Sequence, residues 1–391
     1  MKITLISSIL NHGRILNDSG SAFALLALSE YSEEDISVIT WKKTESSTTN
    51  LFGNIKIVDI FDSSHPLSIF LYFGVLLNLR SSLYLFNLFP TAYGNSNVAN
   101  FIALILPLYV KKVLKREAAV IYHNSTYIND PVRLGYSGIF NKIRKFVIKR
   151  IEKAIFTEVD TYFLTETYVR ILATNIPKTK VHRLRLPFFQ VLGTIYENGL
   201  ENCDEIEVKS GDIPRILLFG GWGPQKNPKH ALECLSLLRK EGRKFVLTVA
   251  GGNNPHFPKW AKFYNNLFTD FSDVIDNRYQ YVQEKELVGL FMNTDLVILP
   301  YNAPGGFSGI LGFSIFFERA VIISDFPEFR EQAGDYDGVV YYKEGELIDR
   351  IREFIKSVFH ANNSAHVKVK ERISEMSNEF SKILPQDTTR T

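Results

Sequence analysis

The sequence predicts an α/β protein built from two halves, each a parallel sheet with helices on both faces. Three observations carry this. Short apolar runs alternate with amphipathic helical stretches over nearly the whole chain, which is the signature of strand–helix–strand units. The alternation stops at 187–214 and then restarts. At 391 residues the chain exceeds what one core holds, so two domains are expected.

In the first half, strands are expected at 3–7, 36–41, 55–60, 83–87, 118–123, 161–164 and 181–185. Helical patterns lie between most of them. One is 21–31. Another is 139–155, with apolar residues at 139, 140, 143, 146, 147, 151, 154 and 155, the spacing of one helix face. The apolar stretch 66–88 is interrupted by Arg80. Its unbroken part falls short of the roughly 20 residues that span a bilayer, so it reads as a buried helix followed by a strand.

The segment 187–214 contains Gly193, Asn198, Gly199, a cluster of acids and Gly211, and reads as a linker. Taking 191–213 as that linker gives a first domain at 1–190 and a second at 214–391. The second is expected to hold strands at 215–219, 245–250, 296–299 and 321–324, with helices at 228–241 and 309–317. The stretch 345–384 is rich in alternating charge and reads as solvated terminal helices. Two such halves in tandem imply a cleft between them, and folds of this class bind ligands beyond the carboxyl ends of their strands.

Apolar residues make up 45% and charged residues 22% of the chain, which excludes a disordered or collagen-like protein. Two cysteines, Cys203 and Cys234, supply neither a disulfide scaffold nor a cysteine-rich zinc site. A reducing, cytoplasmic setting is therefore expected. The chain runs straight into a strand rather than a secretory signal. Residues 1–186 carry 22 Lys and Arg against 14 Asp and Glu. Within 110–153 alone there are 11 basic and three acidic residues. Such a concentration points to an anionic partner, with docking on the inner face of a membrane as one expectation. Nucleic acid is not expected, because the stretch lacks interleaved aromatics and any known module pattern.

Three loops hold residue types suited to phosphate chemistry. The first follows the leading strand and places Gly13, Arg14 and Gly20 before an apolar helix. It reads equally as a phosphate loop or as a plain connection, because the spacing of the dinucleotide fingerprint is absent. The second is FGGWGPQKNPKHALE, in which a strand ends at Phe219 and glycines open a loop. Lys226 stands there before a helix with Asn227 as cap and Pro228 at its first position. A lysine beside a helix N-terminus offers a point cation and oriented amides to a diphosphate. The third is LPYNAPGGFSGILGFS, where Gly305 and Gly306 precede Ser308 and Gly309 at the opening of an apolar helix. Ser308 reads as a cap, or its hydroxyl and the amides of Gly309 and Ile310 face an anion.

The joint order of FGG…QKNPKHALE, the VAGG strand end at 249–252, and ILPY…SGIL…VIISDFPEFRE resembles the GT-B glycosyltransferases, glycosyltransferase family 4 in particular. The likeness is clearest over 215–341. It implies two Rossmann-like domains with parallel sheets facing across a cleft, an acceptor on the first and a nucleotide-sugar on the second. It also implies transfer with retention of anomeric configuration, no metal bound in the site and no cofactor beyond the nucleotide-sugar co-substrate.

Carried over residue by residue, the resemblance makes Lys226 the diphosphate cation and His123, in the YHN strand end, a histidine near the donor sugar. Donor contacts fall on Gly221, Trp222, Gly251, Gly252, Gly305, Gly306, Phe307, Ser308, Gly309, Ile310 and Ser314. Gly13, Arg14 and Asn124 fall on the acceptor or phosphate side. Two departures stand out. Gly221-Trp222 occupies the region where the family often has an arginine. Gly306 and Ser314 occupy the places of a glutamate pair, although some branches carry Ser-Gly there. The expected function is thus a glycosyltransferase with a glycan or lipid-phosphate-linked acceptor. The alternative is a non-catalytic relative acting as a binding or partner subunit.

Overall fold

The structure is a computed structural model. It describes residues 3–7, 36–41, 56–61, 70–88, 97–123, 125, 127, 139–176, 178–184, 213–253, 260–280, 282, 284–303 and 306–358. The expected helix at 21–31, most of the linker and the stretch beyond 358 lie outside them. The chain divides into two compact units. One is Met1–Leu186 with Ala303–Phe307, the other Pro187–Asn302 with Ser308–Thr391.

The strands of the first unit are β1 (Ile3–Ser7), β2 (Ile36–Trp41), β3 (Lys56–Phe61), β4 (Leu83–Leu88), β5 (Ala118–Tyr122), β6 (Asp160–Phe163) and β7 (Val181–Arg183). All pair in parallel in the order β3-β2-β1-β4-β5-β6-β7. The sequence-based strand ends differ by a residue or two, because a strand stops where ladder bonds stop rather than where apolar residues do. The helices are α1 (Phe70–Asn78), α2 (Asn97–Leu108), α3 (Ile139–Glu158) and α4 (Glu166–Asn175).

The 66–88 stretch does form a helix and then a strand. Arg116 closes the helix: its guanidinium donates to the carbonyls of Leu76 (2.5 Å) and Leu79 (2.7 Å) and to the Tyr84 hydroxyl (2.9 Å). This satisfies carbonyls that a helix C-terminus leaves open. Among the described residues no helix is long and apolar enough to cross a membrane.

An aromatic cluster sits within the largely aliphatic core of this unit. Tyr122, Phe156 and Phe163 are fully buried, with ring centroids 5.3 to 5.7 Å apart. The buried face of α3 differs from the expected stripe. Ile148, Ile151, Ile155 and Phe156 pack on the core, while Phe146 is 59% exposed. Glu152 lies on the buried face although it is charged. It can do so because it accepts hydrogen bonds from the Tyr122 hydroxyl (2.8 Å) and the Ser125 hydroxyl (3.3 Å).

In the second unit the strands are β8 (Arg215–Phe219), β9 (Val246–Ala250), β10 (Asn277–Tyr279), β11 (Leu296–Leu299), β12 (Ala320–Ser324) and β13 (Val339–Tyr342). Between them run α5 (Pro228–Lys240), α6 (Ala261–Asp270), α7 (Glu284–Met292), α8 (Gly309–Phe316), α9 (Pro327–Ala333) and α10 (Leu347–Val358). The sheet is parallel, in the order β10-β9-β8-β11-β12-β13. Each sheet therefore repeats the doubly wound order in which the chain leaves one central strand to one side and its neighbour to the other. Buried β11 and β12 are continuous aliphatic runs, as strands covered on both faces must be. Sequence periodicity misses α6, α7, α9, β10 and β13, elements of three to ten residues that are too short to declare a period.

Candidate functional site

The second sheet reverses direction between β8 and β11, which pair directly. The loops after these two strands therefore flank a topological switch point, the place where open α/β sheets bind ligands. Lys226 stands on the first of these loops and Ser308 on the second.

The loop after β8 is held by the strand next door. The amide of Gly220 donates to Ala250 O (3.1 Å), that of Trp222 to Gly252 O (2.8 Å), and the Trp222 indole to Gly251 O (2.8 Å). A Cβ on Gly251 would sit 2.0 Å from Gly220 O, and its φ is +106°. A side chain is excluded there on both counts. Gly252 is similar, since a Cβ would lie 2.8 Å from Gln280 O. These glycines thus let two loops cross at backbone distance. Trp222 is 3% exposed and packs on Phe268 and Tyr264, so it serves the core rather than an open donor surface. Gly221 has nothing within 4 Å of its Cβ position.

A single 3₁₀ turn, Pro224–Lys226, then presents the lysine. Asn227 does occupy the capping position of α5, but in the left-handed conformation (φ 44°, ψ 48°) and without a side-chain cap bond. The expected Asx cap is therefore corrected: Asn227 supplies the reversal of the backbone, which asparagine tolerates, and Pro228 opens the helix. Asn302 ties this turn to the second loop. Its amide donates to Gln225 O (3.1 Å) and its side chain to Pro224 O (3.1 Å).

In the second loop, Ser308 caps α8 as expected, accepting from Leu311 N at 3.3 Å. Gln332 of α9 clamps it from the other side, accepting from Ser308 N (2.8 Å) and donating to Ser308 O (2.7 Å). Between the loops, the Lys226 ammonium donates to the Tyr301 hydroxyl (2.5 Å) and lies 4.0 Å from the ring centroid. The Tyr301 hydroxyl is 3.2 Å from Ser308 Oγ. A Cβ on Gly220 would meet Ile310 at 3.0 Å and Lys226 at 3.7 Å. Lys226, Gly220, Tyr301, Ser308 and the first residues of α8 thus converge on one spot. An ammonium, hydroxyls and helix-terminal amides there form a cradle for an anion.

Ser314 stands apart from it. It is fully buried and its hydroxyl donates to Ile310 O at 2.8 Å, so the hydroxyl is spent inside α8. Gly306 and Phe307 count with the first unit, where a Cβ on Gly306 would lie 3.0 Å from His123 O. Its φ of +84° is one that glycine takes readily. Gly305, Gly13, Arg14 and Asn124 lie outside the described residues.

His123 follows β5, and its Nε2 is 2.5 Å from Asn87 Oδ1 at the end of β4. The amide oxygen accepts, so Nε2 carries the proton. The residue's surface is only partly covered, yet its surroundings strip the ring of water and push its pKa down to about 3. His123 is thus a neutral hydrogen-bonding group at physiological pH, not a cation. The turn that carries it is anchored through Ser125, whose hydroxyl donates to Glu152 and accepts from Tyr127 N (3.1 Å).

Sequence reasoning did not assign site roles to Gly220, Tyr301, Asn302 or Gln332. The position of Tyr301 at the end of a strand beside the switch point was the one available signal. Among the described residues no group of three or more His, Cys, Asp or Glu side chains is placed to hold a metal ion.

No protein-family model matches the sequence, and no curated protein matches it. Solved structures do match over nearly the whole chain. Anabaena HepE, in complex with UDP and glucose, has a TM-score of 0.65 at 10% identity, covering 98% of both chains. Sucrose-phosphate synthase from Thermosynechococcus elongatus has 0.65 at 9% identity, again covering 98% of both. UDP-GlcNAc 2-epimerase from Neisseria meningitidis, bound to UDP-GlcNAc, has 0.58 at 13% identity, covering 98% of this chain and 100% of its own. With its two parallel-sheet α/β units, the chain has the GT-B fold of the glycosyltransferases.

Proposed function

We propose that the chain is a glycosyltransferase that moves a sugar from a nucleotide-sugar to a glycan or lipid-phosphate-linked acceptor. The observation that carries this reading is the convergence of Lys226, Ser308 and the head of α8 at the switch point of the second sheet. Structural neighbours bind UDP or UDP-sugars, which makes a uridine nucleotide the first donor to try. In transfer, the bond from the anomeric carbon to the β-phosphate oxygen breaks, a bond to an acceptor hydroxyl oxygen forms, and the hydroxyl proton is taken up by the departing diphosphate. Negative charge develops on the departing diphosphate. Lys226 and the α8 amides oppose it with fixed positive potential that needs no reorganisation. The retaining outcome and membership of family 4 belong to the same proposal, supported by the motif order in the sequence. With its one N–H given to Asn87, His123, held neutral, meets a sugar hydroxyl as a hydrogen-bond acceptor rather than as a proton donor.

The test is thermal unfolding with UDP, GDP and ADP. One of them should raise the melting temperature of the wild type by mass action. Lys226→Ala should abolish most of that shift and lower turnover with the matching nucleotide-sugar by roughly 10²-fold. No shift with any of the three would end the donor reading.

A further inference from the structure

We propose that Tyr301 is a positioning residue that holds the Lys226 ammonium in register with Ser308, so that lysine and helix head meet one diphosphate as a preformed set. This rests on the reading of Lys226 as the diphosphate cation. Tyr301 is suited to the task because it is itself immobile. It is 6% exposed. Its carbonyl accepts from the Ser324 hydroxyl at 2.5 Å, and its ring meets Phe329 edge-on at 5.3 Å. Lysine, by contrast, is a point charge on a flexible four-carbon stem that loses rotamer freedom whenever it is fixed.

Tyr301 touches the ammonium twice, through the hydroxyl at 2.5 Å and the ring at 4.0 Å. The direction of the bonds follows from chemistry. An ammonium has only donors, so the Tyr301 oxygen accepts from it and, in the proposed relay, gives its own proton to Ser308 Oγ, 3.2 Å away. Ser308 Oγ already accepts from Leu311 N. Its proton is thereby directed away from both neighbours and can be given to a ligand oxygen. Gly220 adds no side chain beside the lysine, where a Cβ would come within 4.0 Å of Nζ. The ammonium is thus steadied by Tyr301 and not crowded by a side chain at position 220.

The test uses the full chain and whichever of UDP, GDP and ADP the wild type binds, beside its monophosphate. Y301F keeps the ring packing and removes the relay, and its unfolding temperature checks that the fold is intact. It should weaken diphosphate binding about 10-fold, as expected for losing a hydrogen bond to a charged group, and leave the monophosphate unchanged. In a K226A background it should have no further effect, because a residue acting through Lys226 has nothing left to position. Wild-type affinity in Y301F, equal weakening of both ligands, or full additivity with K226A would each overturn the proposal while leaving Lys226 as the cation. If the wild type binds no diphosphate, the donor reading itself fails and this inference falls with it.

Discussion

Glu328 shows how a single buried carboxyl sets a pH dependence. It lies in the first turn of α9, is 4% exposed, and its Oε2 has no hydrogen-bond partner. Burial raises its pKa, its own amide partly opposes this, and Glu331 adds to the rise. The folded state therefore holds the proton more tightly than the unfolded chain, whose glutamates titrate near about 4.3. As pH climbs through that value the unfolded state sheds its proton first, and stability is lost. Glu328→Gln should thus unfold at nearly the wild-type temperature below pH ~4 and gain on the wild type as pH rises. The gain should reach about 1 kcal/mol near neutrality, the lower range for a buried unsatisfied polar group. A difference in melting temperature that is the same at every pH would refute the assignment. Gly251 shows the opposite kind of constraint, purely steric, since no side chain fits against Gly220 O.

At the scale of elements, the head of α8 is fixed by neighbours on either side. Ser308 caps it, Gln332 clamps both polar groups of the Ser308 backbone, and Tyr301 reaches the Ser308 hydroxyl. Ser308→Ala removes the cap and the end of the relay together. It should lower stability by about 1 kcal/mol, as caps do, and circular dichroism melts would show the loss. An unchanged melting temperature would mean that Gln332 alone holds the helix end. The local signals at this site were legible because they act within one turn: Ser before an apolar run, Pro at the first helical position, glycines after a strand. Gln332, Asn302 and Tyr301 were not, since their partners lie 24, 78 and 75 residues away. Neither was Glu152, which reads as one more surface charge on α3 until Tyr122 and Ser125 are seen to donate to it.

For the molecule as a whole, charge is the property that local structure does not explain. The excess of basic residues lies in the first half of the chain. Among the described residues, Lys111 pairs with Glu117 (2.7 Å), Lys112 with Glu158 (2.9 Å) and Arg170 with Glu166 (3.5 Å). On α3, Arg150 lies over the exposed ring of Phe146, and Val113, next to Lys111 and Lys112 in the sequence, is exposed as well. An exposed aromatic among cations fits a lipid surface better than water alone. If the proposed transfer is to a lipid-phosphate-linked acceptor, docking on anionic lipid is expected to accompany it, each basic residue near the surface contributing about 1 kcal/mol. In sedimentation with vesicles, recovery should require anionic lipid, weaken with salt, and drop when Lys142, Arg144, Lys145 and Lys149 become Gln. Equal recovery with neutral vesicles would remove the membrane from the function.

The sequence by itself determined the class of fold and the positions of most central strands. Buried parallel strands must be continuous apolar runs and their crossover helices must be amphipathic, so both leave periodic traces. It also marked Lys226 and Ser308, whose signals are local. Tertiary structure alone decided the rest. The order of strands puts the loops after β8 and β11 side by side, and no periodicity records which strand pairs with which. Trp222 and Ser314 carry polar atoms suited to a ligand, yet packing turns both inward. Tyr301 looks like the mere end of a strand until the lysine of a distant turn is found against it. The physical reason is the same in each case: burial and hydrogen-bond partners are set by what the fold brings from elsewhere in the chain.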